Sequence, residues 1–179
     1  MVIGIDIDDT ITNTTMYANK IYHNNQTYTQ KDDYHLLDKE EYDRFLEEYS
    51  LDIVSNVSLK DECKRVIDKW HKQGHKIIIV TARGNLGNYQ NVLRTCLYLN
   101  KYGIYYDKCY FYECFKSDVA LKENIDIFID DKEEILDNVA KNNIKTIRIA
   151  DTEVISNHQV LCNFKKIDEF IEKYARGYL

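Results

Sequence analysis

Val2-Ile3-Gly4-Ile5-Asp6-Ile7-Asp8-Asp9-Thr10 decides how the rest of the chain is read. A short apolar run leads directly into three carboxylates, so like charges gather where a buried strand ends. Such a cluster is unfavourable unless a cation or protons compensate it, which predicts a bound metal. Asp6 and Asp8 stand two residues apart, and an extended chain would point both to one side. One of them can then attack as a nucleophile while the other gives and takes protons. The plainer reading is a strand followed by a polar turn whose Asp-Asp-Thr caps the next helix. The remainder of the sequence argues against stopping there.

The chain has 179 residues, 44% hydrophobic and 30% charged, with a formal charge of −6. These figures predict one globular domain with a substantial core and a small insertion. The negative balance disfavours broad binding to a nucleic-acid polymer. No apolar run approaches the ~20 residues of a membrane span. The apolar start lacks the basic flank of a signal peptide, so a cytoplasmic protein is expected. The five cysteines are scattered with no Cys-x-x-Cys, and the five histidines form no ligand pattern. Reduced thiols are therefore expected, and a zinc site is not.

Strand-like runs recur at 2–7, 76–80, 109–112, 125–129 and 145–149. Helical stripes fall between them: Leu59, Cys63, Val66, Ile67 and Trp70; then Tyr89, Val92, Leu93, Cys96 and Leu97; then Ile135, Leu136, Val139 and Ala140. A last stripe carries Ile167, Phe170, Ile171 and Tyr174. Ser58-x-x-Asp61 reads as a capped start and Gly74 and Gly103 as stops. The segment 151–163 reads as loop. Alternating strands and helices predict an α/β fold, a Rossmann-like parallel sheet flanked by helices. The stretch 13–57 breaks the rhythm. It offers one helix over about 14–23 and a second, short one capped by Asp38 and carrying Tyr42, Phe45, Leu46 and Tyr49. Neither can bury its apolar face alone. The expected organisation is a core of 1–12 and 58–179 with a small helical cap, 13–57, inserted after the first strand. The plainer alternative is an ordinary pair of packing helices.

Three strand ends carry chemistry, and ligands of open parallel sheets bind beyond such ends. The first is Asp6-x-Asp8-Asp9-Thr10. The second runs from Ile77-Ile78-Ile79-Val80 into Thr81-Ala82-Arg83-Gly84. The third runs from Ile127-Phe128-Ile129 into Asp130-Asp131. Phosphoryl transfer needs a nucleophile, a proton shuttle and heavy compensation of negative charge. Magnesium takes hard oxygens such as those of Asp6, Asp130 and the Asp8 carbonyl. Thr81 offers a hydroxyl and an amide to phosphate, and the turn after it offers further amides. A lysine should complete the balance. Lys116, just after a strand, is preferred to Lys122, which sits among Asp118, Glu123 and Asn124.

With these four pieces assembled, the chain resembles the haloacid dehalogenase-like (HAD) phosphohydrolase superfamily over about residues 1–150. Asp6-x-Asp8-x-Thr10 matches its first motif, Thr81 its second, Lys116 its third and Asp130-Asp131 its fourth. The resemblance implies an aspartyl-phosphate mechanism with Asp6 as nucleophile and Asp8 as acid and base. Thr81 and Lys116 would hold the phosphoryl oxygens, with Thr10, Ala82 and Arg83 counted among the phosphate-binding residues. Magnesium would sit among Asp6, Asp8, Asp130 and Asp131. The second acid points to a phosphatase, because the dehalogenase branch lacks it. The run Gly4-Ile5-Asp6-Ile7-Asp8-Asp9-Thr10-Ile11-Thr12 with a short cap is also similar to the cytosolic 5'(3')-deoxyribonucleotidases and their bacterial nucleotidase relatives. That implies a small phosphomonoester substrate, a (deoxy)nucleoside monophosphate; a homodimer is left open. Three other readings remain: a phosphatase for another metabolite such as a sugar phosphate, a HAD protein that binds phosphate or metal without turnover, and a phospho-acceptor receiver domain. The last is disfavoured by its motif order, since here the acidic pair comes late.

Overall fold

The computed structural model describes residues 1–84 and 89–178. Six parallel strands form one sheet: β1 (Val2–Ile5), β2 (Lys76–Val80), β3 (Lys108–Tyr110), β4 (Ile127–Asp130), β5 (Lys145–Ile149) and β6 (Gln159–Leu161). Their order is β3-β2-β1-β4-β5-β6, the doubly wound Rossmann arrangement, with its switch point between β1 and β4. Receiver domains use the 2-1-3-4-5 order instead, so the topology separates this chain from that alternative.

The apolar runs are continuous because both sheet faces are buried. Successive side chains of β2 serve opposite cores. Ile77 and Ile79 join Ile3, Ile5, Ile127, Ile129 and Ile147 beneath α3 (Cys63–Lys72) and α7 (Phe164–Ala175). Ile78 and Val80 join Phe128 beneath α5 (Lys116–Lys122) and α6 (Glu133–Ala140). Gly4 is on this second face. A Cβ there would stand 2.6 Å from both Phe128 Cδ2 and Ile125 Cδ1, so only a glycine lets the Phe128 ring lie flat across the strand.

Between β1 and α3 lie α1 (Thr14–His23), a 3₁₀ turn (Tyr34–Leu36) and α2 (Lys39–Asn56). Asp38 caps α2 through the Glu41 amide at 2.9 Å. Ala18, Tyr22, Tyr28, Tyr34, Leu37, Phe45 and Ile53 form a core of their own, and burying a ring such as Phe45 stabilises this unit by about 1.5–3 kcal/mol. The segment leaves and returns at one place. Thr12 bridges Leu59, and Asn13 N–H donates to the Ser58 carbonyl at 3.0 Å. α2 also packs against α4 (Tyr89–Tyr102).

Several sequence expectations need correction. Strand β1 ends at Ile5 rather than Ile7. The Ile7 carbonyl accepts from the amides of Thr10, Ile11 and Thr12, which coils the chain into a turn. Asp9 takes φ +54° there, a left-handed conformation that Asp tolerates. Helix α3 starts at Cys63, after Glu62 at φ +64°, and no side chain caps it; the Ser58 hydroxyl is engaged by Asn13 instead. Helix α2 runs 18 residues and is not short. The segment 151–163 contains the edge strand β6, whose three residues pair only with β5 and are too few to show an alternation. In α4 the buried residues are Thr95, Tyr98 and Leu99, while Tyr89, Leu93 and Leu97 of the expected stripe are exposed. Thr95 turns inward because its hydroxyl is an acceptor for Arg83. The helix ends at Tyr102, with Gly103 at φ +62°, where the stop was expected.

Candidate active site

The carboxyl ends of β1, β2 and β4 bring the predicted residues to the switch point. Asp6 follows β1, and its amide donates to the Ile129 carbonyl at 3.0 Å, locking it beside the end of β4. Asp130 closes β4 and is fully buried. Lys116 is the first residue of α5 and is 5% exposed. Its Nζ donates to Asp6 Oδ1 at 2.5 Å and to Asp130 Oδ2 at 2.8 Å. Lys122 is exposed, its ammonium 5.1 Å from the Tyr110 ring centroid. The Lys132 amide donates to Asp130 Oδ1 at 3.0 Å.

Asp6, Asp130 and Asp131 each offer a carboxylate oxygen within 4.8 Å of the others. Three carboxylates and one ammonium leave two negative charges uncompensated. Burial is the largest influence on Asp6 and raises its pKa above the ordinary carboxylate range. Lys116 pulls it back down, and Asp130 and Asp8 add to the rise. Asp131 is raised for the same first reason, with Asp130 and Asp6 contributing. Its buried Oδ1 has no hydrogen-bond partner among the described residues. An orphaned oxygen, two missing positive charges and hard donors fit a magnesium ion held by Asp6, Asp130 and Asp131. The Asp8 carboxylate is not in this cluster; the oxygen expected from Asp8 is its backbone carbonyl.

Asp8 instead meets Arg83. Arg83 Nη2 donates to Asp8 Oδ1 at 2.6 Å and Nε to Oδ2 at 2.9 Å, a bidentate fork, and Thr14 Oγ1 donates to Oδ1 at 2.7 Å. Burial would raise the Asp8 pKa, but the Arg83 charge and hydrogen bonds outweigh it and hold the carboxyl below its usual range. Because β1 ends at Ile5, the extended-strand geometry expected to align Asp6 and Asp8 does not reach Asp8. The turn at Ile7 sends Asp6 to Lys116 and Asp8 to Arg83. Arg83, expected to bind phosphate, is buried, and its guanidinium is occupied by Asp8 and by Thr95 at 3.3 Å.

Thr81 is fully buried next to β2. Its amide, expected to face phosphate, donates to the Tyr110 carbonyl at 2.9 Å because the β2–β3 ladder extends one residue further. Its hydroxyl oxygen accepts from the Arg83 amide at 3.2 Å. Ala82 is exposed. Thr10 is fully buried, and its hydroxyl has no hydrogen-bond partner among the described residues. The further amides expected after Thr81 fall mostly on 85–88, outside the described residues. Asp9 accepts from the Thr15 amide at 2.8 Å and the Thr15 hydroxyl at 2.5 Å, tying the turn to α1.

A cleft of about 410 Å³ opens beside the cluster, with Asp9, Asn13, Thr15, Lys60, Asp131 and Asp151 in its lining. Lys60 is nearly buried, with Nζ 2.6 Å from Asp151 Oδ2. Sequence reasoning passed over this pair, because 91 positions separate its members and no local spacing marks them. From the inserted segment, Tyr34 and Tyr42 stack with centroids 5.8 Å apart. Burial raises the Tyr34 pKa first, and the charges of Asp9 and Asp8 add to it.

No family model matches the sequence, and no curated protein matches it. Solved structures do. A HAD-superfamily hydrolase from Ehrlichia chaffeensis superimposes with a TM-score of 0.62 at 14% identity, covering 97% of each chain. A haloacid dehalogenase-like family hydrolase from Streptococcus pneumoniae gives 0.68 at 10%, covering 95% of this chain and 97% of that one. A predicted phosphoglycolate phosphatase from Haemophilus somnus gives 0.67 at 12%, with coverage of 95% and 97%. The chain therefore has the α/β fold of HAD hydrolases over nearly its whole length.

Proposed function

We propose that this chain is a magnesium-dependent phosphomonoester hydrolase of the HAD type. One observation carries the proposal: buried Asp6 is held by Lys116 at the switch point, with Asp130 and orphaned Asp131 beside it and Asp8 close by on Arg83. The shared fold supports it.

Asp6 attacks phosphorus, forming an aspartyl phosphate as the bond to the leaving oxygen breaks. Asp8 gives that oxygen a proton, then takes one from the water that hydrolyses the intermediate. Lys116 and Thr81 hold phosphoryl oxygens. Asp6, Asp130 and Asp131 would hold a magnesium ion, which would supply electrostatic stabilisation of the transferring group. Arg83 favours the ionised form of Asp8, which suits the hydrolysis step and works against the first proton donation.

The finer proposal is a 5'-nucleotidase with segment 13–57 as the selecting cap. An aromatic ring stacks on a base for ~1–3 kcal/mol. Tyr22, Tyr28, Tyr34 and Phe45 are buried in the segment's own core; of the half-buried Tyr17, Tyr42 and Tyr49, Tyr42, stacked on Tyr34 and within the field of Asp8, is the ring proposed to meet a base. The same burial favours a second reading, a small substrate such as a sugar phosphate, since so few rings remain.

Hydrolysis of an aryl phosphate should vanish in EDTA and return with magnesium. Full activity in EDTA would remove the metal. Thymidine and deoxyuridine monophosphates should exceed glucose 6-phosphate in kcat/KM; the reverse order would discard the nucleotidase and keep the phosphatase.

A further inference from the structure

A second group of metal-capable side chains stands apart from the carboxylate trio. Glu133 and Asp137 are one turn apart on α6, and His158 reaches them from the segment leading into β6. Each offers a ligand atom within 4.8 Å of the others. The His158 side chain is 4% exposed. Its Nε2 makes no hydrogen bond among the described residues, although it lies 3.2 Å from Asp137 Oδ1 and 3.9 Å from Glu133 Oε1. A buried imidazole nitrogen thus stands within ion-pair distance of two carboxylate oxygens and is hydrogen-bonded to neither. We propose that Glu133, Asp137 and His158 form a zinc site that fastens the 151–158 segment to α6.

The distances suit that ion. Zinc bonds of about 2.0–2.2 Å in a tetrahedron separate the ligand atoms by roughly 3.3–3.5 Å, between the two spacings found. The surroundings are those of a held ligand set. His158 Nδ1 is 2.7 Å from Thr146 Oγ1. A proton on Nδ1, donated to that hydroxyl, leaves the Nε2 lone pair facing the cluster, the tautomer a metal requires. The outer oxygen of Glu133, Oε2, accepts from Ser156 Oγ at 2.5 Å and from Arg148 Nη1 at 2.9 Å. The Asn157 amide donates to Oε1 at 2.8 Å, so the carboxylate is fixed in orientation. One imidazole and two carboxylates favour zinc over magnesium, which prefers oxygen alone. Asp137, with a side chain 48% exposed, gives the ion an entry from solvent and leaves a coordination position for water. The segment so fastened includes Asp151 and Thr152, which line the cleft. Histidine spacing gave no warning, because His158 lies far along the chain from both acids.

The test is zinc stoichiometry in the full chain with Cys114→Ser and Cys162→Ser, dialysed against zinc in saturating magnesium. That buffer occupies the oxygen site, and the serines remove exposed thiol ligands. One equivalent of zinc is expected in this parent. It should be lost in His158→Gln and at least tenfold weaker in Asp137→Asn, whose exposed position makes misfolding no explanation. Zinc should raise the Tm of the parent and not of His158→Gln, with both folds checked by circular dichroism. No zinc in the parent, or one equivalent retained in both variants, overturns the site. The readout does not involve phosphatase activity, so its failure and that of the proposed function are separate.

Discussion

Lys116 shows how a single side chain organises the proposed chemistry. It sits between two acids, and its own burial, which would lower its pKa, is outweighed by Asp6 and Asp130, which raise it. The two carboxylates therefore favour its charged form. Lys116→Ala should cost about 3 kcal/mol or more of transition-state stabilisation, read as kcat, whereas Lys122→Ala should be near wild type. An inactive Lys122→Ala would reverse the assignment. Asp6→Asn should be inactive, while Asp8→Asn should lose ~10²–10⁴-fold and still form phospho-enzyme slowly. Equal residual rates in both would contradict the two roles. Arg83 supplies a pH test. Its guanidinium holds the Asp8 pKa down, so Arg83→Gln should let it rise and move the pH–rate profile to higher pH. An unmoved profile would show that Asp8 does not set it.

Among the elements, α5 is the one whose placement matters most, because it starts with Lys116. Its far end is tied to the sheet by Glu123, which accepts from Lys108 Nζ at 2.8 Å and also from the Tyr110 hydroxyl, with Lys76 Nζ 3.5 Å away. The hydrogen bonds from Lys108 and Tyr110 lower the Glu123 pKa from 4.5 to about 2. A depressed carboxylate stabilises the fold above its unfolded pKa, and that contribution fades as pH falls from 4.5 towards about 2. Glu123→Gln should therefore lower Tm at pH 7 and narrow the gap to wild type across that acid range. A gap independent of pH would show that packing, not charge, ties α5 down.

At the scale of the whole molecule, the site exists because three strands far apart in sequence end side by side at a topological switch point. The cost is a buried group of like charges, so magnesium should stabilise the folded chain by mass action. Differential scanning calorimetry should show Tm rising with magnesium in wild type and rising much less in Asp131→Asn, which loses the orphaned oxygen. In EDTA the order should invert, with Asp131→Asn the more stable of the two. Equal magnesium shifts would remove Asp131 from the ligand set. No helix among the described residues is long and apolar enough to cross a membrane.

The sequence alone determined the alternation of strands and helices, because runs such as Ile77-Ile78-Ile79-Val80 and stripes such as Val66, Ile67 and Trp70 follow from local periodicity. It also pointed to Asp6, Thr81, Lys116 and Asp130-Asp131, since strand ends are visible as the places where apolar runs stop. The Asp38 cap and the Gly74 and Gly103 stops were legible for the same local reason. Tertiary structure decided what each charge faces. Arg83 pairs with Asp8 across 75 residues, Lys60 pairs with Asp151, and His158 comes within 3.2 Å of Asp137, and no spacing rule reaches that far. It also decided that the chain turns at Ile7, so Asp6 meets Lys116 and Asp8 meets Arg83, and that Thr95 rather than Leu93 faces inward. Periodicity reports only that a residue is apolar and on a face; which partner that face meets depends on packing and charge brought together by the fold.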